Sequence, residues 1–329
     1  MNMIWQLMVI QMTHNRHSDI YIASCSKKGG IYHYILAQDG SLELKESCKI
    51  DRPMYMTIAN DKMYILLREP YENLDDSGLV ICDIEKNETF AKLSEVVSTK
   101  GKCACHLAVC DGKAYVVNYL SGSVILMPDK IKVHSGNSVN KDRQESSHPH
   151  FVCETPDKKY MTVTDLGTDE VYFYTKDMEY FSKVSAPKGA GPRHIVFTDG
   201  YMYCANELHS SVSVYYYHDG KACLKKTYST LPEDFKGEST VAAIRTDGNY
   251  LYVSNRGHNS IAEFEIFGDN LKLRRFIDVY GKSPRDFNVF GEYIISTNEL
   301  SDNVTVISKQ NGELINYIKL EHPLCVVKK

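Results

Sequence analysis

The sequence has no excess of positive charge, no long apolar run and no paired-cysteine motif, and each absence removes a class of function. Against 42 Asp and Glu stand 38 Lys and Arg, a formal net charge of −4. A nucleic-acid-binding domain shows a basic patch or stripe, so no nucleic-acid partner is expected and any cationic site must be local. No stretch approaches the 18 apolar residues of a membrane-spanning helix, so no membrane partner is expected either. The N-terminus contains an apolar segment, Met3 to Met12, and Ile22-Ala23-Ser24-Cys25 imitates a lipoprotein cleavage box. Secretory signals need a basic start and an apolar run reaching the cleavage site. Here no Lys or Arg precedes the apolar segment, and His14, Asn15, Arg16, His17 and Asp19 interrupt the approach to Cys25. Residues 1–18 therefore read as an N-terminal extension, residues 19–329 as one domain, and the protein as cytoplasmic. Several of the ten cysteines (Cys82, Cys110, Cys153, Cys204) fall inside strand-like runs, as reduced thiols packed as small hydrophobes do. Cys103-Ala104-Cys105, with His106 and Cys110 nearby, lacks the usual zinc spacing, and no metal is expected.

What the chain does have is a repeat. Aromatic-led strands return at Tyr21-Ile22-Ala23-Ser24, Tyr64-Ile65-Leu66-Leu67, Tyr115-Val116-Val117-Asn118 and Tyr160-Met161-Thr162-Val163-Thr164-Asp165. They continue at Tyr201-Met202-Tyr203-Cys204-Ala205-Asn206, Tyr250-Leu251-Tyr252-Val253-Ser254-Asn255 and Tyr293-Ile294-Ile295-Ser296-Thr297-Asn298. From Asn118 onward, the closing Asn or Asp recurs after 47, 41, 49 and 43 residues. A period in the forties with several short strands per copy specifies an all-β, seven-bladed β-propeller with four antiparallel strands per blade. In the fourth copy, His150 to Thr155 reads as the inner strand, Tyr160 to Thr164 as the second, Val171 to Tyr174 as the third and Phe181 to Ser185 as the fourth, with turn residues between them. His322-Pro323-Leu324-Cys325-Val326-Val327 begins like an inner strand but lacks a successor, whereas Tyr21 to Ser24 lacks an inner partner. Pairing the two closes the ring and leaves no open sheet edge. Lys130 to Ser147 has weak strand character, and at that length reads as a loop rimming a site.

In such a ring, the start of each inner strand and the end of each second strand converge on one mouth of the central channel. Directly after the Pro opening an inner strand stand Met54, His150, Arg193, Arg285 and Leu324; directly after the Asn or Asp closing a second strand stand Tyr119, Leu166, Glu207, Arg256 and Glu299. These neighbours carry charge or an imidazole in blades four to seven and nowhere else. Simpler roles are open to each. Arg256 and Arg285 can pair with Glu207 and Glu299 as a structural network, His150 can cap its strand, His148 can be a rim residue, and Asn118, Asp165, Asn206, Asn255 and Asn298 suit turn chemistry.

Gly191-Pro192-Arg193-His194, Asn206-Glu207-Leu208, Val253-Ser254-Asn255-Arg256-Gly257-His258-Asn259-Ser260-Ile261 and Ser283-Pro284-Arg285 resemble signatures of the seven-bladed propeller lactonases. That family holds bacterial 6-phosphogluconolactonases and fungal 3-carboxy-cis,cis-muconate cyclising enzymes. Arg143-Gln144-Glu145 followed by His148-Pro149-His150 is similar to its blade-four entry, and the resemblance runs from about residue 20 to the end. It implies a site of His150, Arg193, Glu207 and Arg256. Two features depart from the family: Ala243 stands where many members carry Glu, and the blade-two stretch Arg68 to Gly78 is long and acidic. The expected activity is hydrolysis of a small anionic sugar lactone, 6-phosphogluconolactone foremost, within the pentose phosphate pathway. His150 or Glu207 would activate water, and Arg193 and Arg256 would face the oxyanion, without metal or organic cofactor. Arg285, Lys282, His148 and His194 are expected to bind substrate, in a monomer or weak homo-oligomer. A cyclising isomerase and a non-catalytic binding propeller are the alternatives; a single Trp leaves no recurring Trp-Asp blade signature to support the latter.

Overall fold

The computed structural model describes residues 17–70, 75–84, 90 and 93–329. It is a seven-bladed β-propeller, built of seven four-stranded antiparallel sheets. The inner strands are Pro323–Lys328, Pro53–Ala59, Ala104–Cys110, Pro149–Glu154, Pro192–Thr198, Thr240–Thr246 and Pro284–Phe290, for blades one to seven in turn. Each packs beside the next, and the last packs back against the first. The second strands are the aromatic-led runs of the repeat. Their alternation works because one face of each blade meets the preceding blade and the other meets the following one. Every seam accordingly holds its own apolar cluster, such as Tyr203, Val212 and Val214 against Val241, Leu251 and Val253 between blades five and six.

The ends close the ring as expected. Ser18–Ser24 is the second strand of blade one and pairs antiparallel with Pro323–Lys328, with Tyr21 opposite Val327. Ser18, assigned from sequence to the extension, thus opens this strand directly after His17, while residues 1–16 of that expectation lie outside the described residues. The expected long loop is shorter at its start: Lys130–Val133 forms the outer strand of blade three, pairing with Ser123–Leu126. Its Lys-Ile-Lys-Val alternation is half exposed, as suits an edge strand. The connection that crosses the mouth face is therefore 134–148. The long acidic stretch of blade two includes 71–74, which lie outside the described residues.

Small irregularities at the channel matter most for function. In six of the seven blades the inner strand breaks register just after its first paired residue. The extra residue is Leu324, Met54, Cys105, His150, Arg193 and Arg285 in blades one, two, three, four, five and seven. In blade six the break falls at Ala242 and Ala243. A β-bulge leaves one residue outside the ladder and re-aims its side chain. Here it turns one side chain from each of the other six blades into the channel.

Candidate active site at the channel mouth

Six bulge residues, Leu324, Met54, Cys105, His150, Arg193 and Arg285, line one cavity at the mouth. Its two sides differ. Cys25, Met54 and Leu324 form a buried apolar cluster on the side of blades one and two. Across from it, blades four to six supply imidazole, carboxylate and guanidinium groups.

Glu207 is the hub of the polar side. It follows Asn206 at the end of a second strand, and its backbone N–H donates to the carbonyl of Gly191 at 2.7 Å. Gly191 has a φ of +66°, and a Cβ there would meet Leu208 and Leu166, so only glycine fits this approach. One Glu207 oxygen lies 2.9 Å from Arg193 Nε and 3.1 Å from Arg256 Nη2. The other accepts a hydrogen bond from Arg143 Nη2 at 2.7 Å. Arg193 also donates through Nη1 to the carbonyl of Ala242 at 2.6 Å, and Arg256 Nη2 donates to the carbonyl of Val241 at 3.2 Å. The small side chains of blade six thus leave its backbone open to both arginines. Ala243, the departure from the family pattern, is buried, and its N–H donates to Ser254 Oγ.

Charge and burial set the protonation states. Burial would raise the Glu207 carboxyl, but Arg256, Arg193, His150 and Arg143 outweigh it and hold the group well below the usual carboxylate range. Arg193 is pushed down to about 9, chiefly by burial. Burial, with Arg193 beside it, also holds His150 well below its ordinary value, as it does His194. Both imidazoles are neutral at pH 7. Buried polar atoms are nearly always hydrogen-bonded, yet His150 Nδ1, His194 Nδ1 and Arg256 Nε have no hydrogen-bond partner among the described residues, and Arg193 Nε meets Glu207 at 2.9 Å as an ion pair off the hydrogen-bonding angle.

The structure therefore gathers His150, Arg193, Glu207 and Arg256 at one mouth, with Arg285 in the same cavity. The simpler pairings exist as well. Arg256 contacts Glu207, and Arg285 lies 3.4 Å from Glu299, which His322 also approaches at 3.4 Å. Lys282 is exposed and lines, with Arg256, Ser239 and Asn259, a depression between blades six and seven. His194 uses Nε2 against Arg193 Nη1 at 3.1 Å. His148 has no nitrogen to spare: Nδ1 meets the carbonyl of Tyr119 at 3.0 Å, Nε2 meets Glu145 at 3.1 Å, and the ring stacks on Tyr119.

Two findings lay beyond the sequence comparison. Arg143 comes from the 134–148 connection; its signals were the place of that segment at the expected rim and the family-like run Arg143-Gln144-Glu145. The closing Asn and Asp side chains do more than shape turns. Asn118, Asn255 and Asn298 are fully buried and donate through Nδ2 to carbonyls of Thr99, Thr230 and Val279, in the segments entering their blades. In blade four, His134 holds that place, and its Nδ1 lies 2.8 Å from Asp165 Oδ2.

Comparison with known proteins agrees with this architecture. An uncharacterised protein of Staphylococcus epidermidis is 33% identical over 321 residues, covering 89% of this chain and 90% of the relative. A Bacteroides fragilis protein provisionally named as a 6-phosphogluconolactonase superposes with a TM-score of 0.86 at 22% identity, over 96% of this chain and 99% of that one. The periplasmic gluconolactonase of Pseudomonas aeruginosa does so with a TM-score of 0.85 at 23% identity, over 95% and 99%. At these identities the two structural likenesses are of fold. The sequence itself matches the family described as "Lactonase, 7-bladed beta-propeller" over residues 19–328, and the chain belongs to that family.

Proposed function

We propose that the protein hydrolyses the lactone of a small anionic sugar acid, with 6-phosphogluconolactone the foremost substrate. The observation that carries this reading is the group of three guanidinium groups around one buried carboxylate, beside a neutral imidazole with an unpartnered nitrogen. Arg143, Arg193 and Arg256 share the single charge of Glu207, so the cluster attracts an anion and presents donors to a developing oxyanion. An arginine fork grips phosphate or carboxylate with paired hydrogen bonds. The apolar side at Met54 and Leu324 would cover the substrate's ring face.

Of the two candidate bases, His150 fits better. Both Glu207 oxygens are engaged and its acidity makes it a poor proton acceptor, whereas neutral His150 has a buried Nδ1 without a hydrogen-bond partner. In the proposed reaction, His150 takes a proton from water as its oxygen bonds to the lactone carbonyl carbon. The carbonyl oxygen becomes an oxyanion facing Arg193 and Arg256; one preorganised donor contributes roughly 3–4 kcal/mol. Collapse breaks the bond to the ring oxygen, which takes the proton back from the imidazolium and leaves the open-chain acid.

The test is a pH-stat assay of the purified protein with 6-phosphogluconolactone. His150→Ala should lower kcat about 10²–10⁴-fold, the contribution of a positioned base. Because the wild-type imidazole is held below its ordinary value, the rate should stay level from pH 8 through 6.5 and fall only at more acidic pH. Full activity in His150→Ala would remove this base. Cyclisation of 3-carboxy-cis,cis-muconate with no lactone hydrolysis would assign the site to the isomerase, and turnover of neither with a co-purifying partner would assign it to binding.

A further inference from the structure

The central channel holds a second cavity, of about 460 Å³, beyond the bulges, and all seven inner strands line it from their third residue onward. Only Tyr55 borders both this cavity and the one at the mouth. The wall is divided. Blades two to four contribute Tyr55, His106 and Phe151, whose rings pack in a row with centroids 4.2 and 4.1 Å apart. Blades six, seven and one contribute Arg245, Asn288 and Lys328, and among the described residues no carboxylate lines the space. Arg245 commits Nη1 to the Ile244 carbonyl at 2.8 Å and Nη2 to Asp286 at 2.5 Å, while its Nε has no partner among the described residues. Asp286 is itself satisfied, because its other oxygen accepts from the Val326 N–H at 3.1 Å. Asn288 Oδ1 accepts from the Val289 N–H at 3.0 Å, which leaves its Nδ2 to donate elsewhere. His106 Nδ1 accepts from the Val152 N–H at 3.4 Å, and burial keeps the ring neutral, so its proton sits on Nε2. Hydrogen-bond donors thus remain open around one uncompensated charge, that of Lys328.

We propose that this cavity is a second small-molecule site, which takes a compact aromatic carboxylate with its ring against Tyr55, His106 and Phe151 and its charge toward Arg245, Asn288 and Lys328. A carboxylate only accepts hydrogen bonds, which matches a wall whose free groups are donors. Small-molecule sites are mostly apolar, with a few placed polar groups, and occupy roughly 300–1,000 Å³; this cavity has that character and size. A phosphate dianion would have to shed more hydration against the same apolar wall, with one free lysine to offset it. The site is separate from the catalytic proposal, since His150, Arg193, Glu207 and Arg256 do not line it.

Isothermal titration calorimetry of the full chain with sodium benzoate, and with benzamide as its uncharged counterpart, tests this. Benzoate should bind at a single site, and benzamide about tenfold more weakly or worse, the size of a hydrogen bond to a charged group. Lys328 is exposed, so Lys328→Met should fold normally; it should weaken benzoate about fivefold, as for an exposed ion pair, and leave benzamide unchanged. Asn288→Trp, which fills the cavity, should abolish binding of both, whereas His150→Ala at the mouth should alter neither. No benzoate binding in wild type would overturn the proposal, as would equal affinity for benzamide or an unchanged affinity in Lys328→Met. Loss of benzoate binding in His150→Ala would place the anion at the catalytic mouth instead and overturn it too. Lactone turnover plays no part in these readouts, so the catalytic proposal can fail without this one, and this one without it.

Discussion

Placing one carboxylate among three guanidinium groups makes Glu207 the counterion that lets Arg193 be buried. Removing one partner of a buried ion pair costs about 3–5 kcal/mol, because the other is left uncompensated. Glu207→Gln should therefore destabilise the protein by several kcal/mol at pH 7. The pH dependence has a definite sign. A carboxyl held below its ordinary value of 4.5 adds stability that is complete above that value and is lost as pH falls toward the folded value. The stability gap between wild type and Glu207→Gln should thus be constant from pH 7 to about 5 and then shrink with acidification, by about 1.4 kcal/mol per pH unit. Urea unfolding midpoints at pH 7 and pH 3.5 measure this. A gap unchanged at pH 3.5 would mean that Glu207 is not held ionised by its neighbours. At this scale the sequence was informative where copies could be compared. His150, Arg193, Glu207 and Arg256 stood out because they vary at fixed positions of a repeated frame. Arg143 belongs to no repeated position, so the comparison had nothing to set it against. Cys105 and Ala242 escaped because the inner strands of blades three and six open on Ala104 and Thr240 and lack the proline that marks the place elsewhere.

Among the elements, the second strand of blade four shows how one substitution in the repeat is matched by another. Asn118, Asn255 and Asn298 use an amide to donate to a carbonyl of the entering segment. Asp165 has no donor, and the entering segment offers His134 in place of a bare carbonyl. Asp165 Oδ1 accepts from the N–H groups of His148, Gly167 and Thr168, at 2.7, 3.0 and 3.2 Å. His134 Nε2 in turn accepts from Tyr174 Oη at 2.8 Å. This ties the 134–148 connection, and with it Arg143 and His150, to blade four. Asp165→Ala would strand several buried groups, each costing about 1–3 kcal/mol, and should destabilise by more than 3 kcal/mol in total. Asp165→Asn keeps the Oδ1 acceptor and should cost clearly less. Equal losses in urea titration would show that the Oδ1 bonds contribute little. The closing residues were legible in sequence as recurring Asn or Asp, but not their partners, which lie in segments far along the chain. The outer strand Lys130–Val133 was missed for a related reason: an edge strand buries little, so its sequence carries almost no apolar signal.

For the molecule as a whole, ring closure is the feature on which the site depends. The seven copies were plain because each must present the same two faces to its neighbours, and the joining of both termini in blade one followed from counting strands. Ser24 Oγ donates to the Glu321 carbonyl at 2.5 Å, and Cys25 N donates to the His322 carbonyl at 2.9 Å, which fastens the junction at the mouth. Ending the chain after Glu321 removes the inner strand of blade one and uncovers the edge of Ser18–Ser24 that it pairs with. Such a truncation should lose the single cooperative thermal transition of the full chain and aggregate; calorimetry with light scattering measures both. A truncated chain with an unchanged transition would mean that the circle is not what holds the blades together.

The bulge at the head of each inner strand has one further consequence. The residue it expels has no cross-strand partner, so exchanging it leaves the ladder intact. Leu324, Met54 and Cys105 sit in such sockets today without titrating at neutral pH, and each faces the same aperture as the imidazole and the guanidinium groups. The scaffold therefore separates the requirements of folding from those of selectivity, and a different chemical repertoire can be installed socket by socket while the disc beneath stays the same.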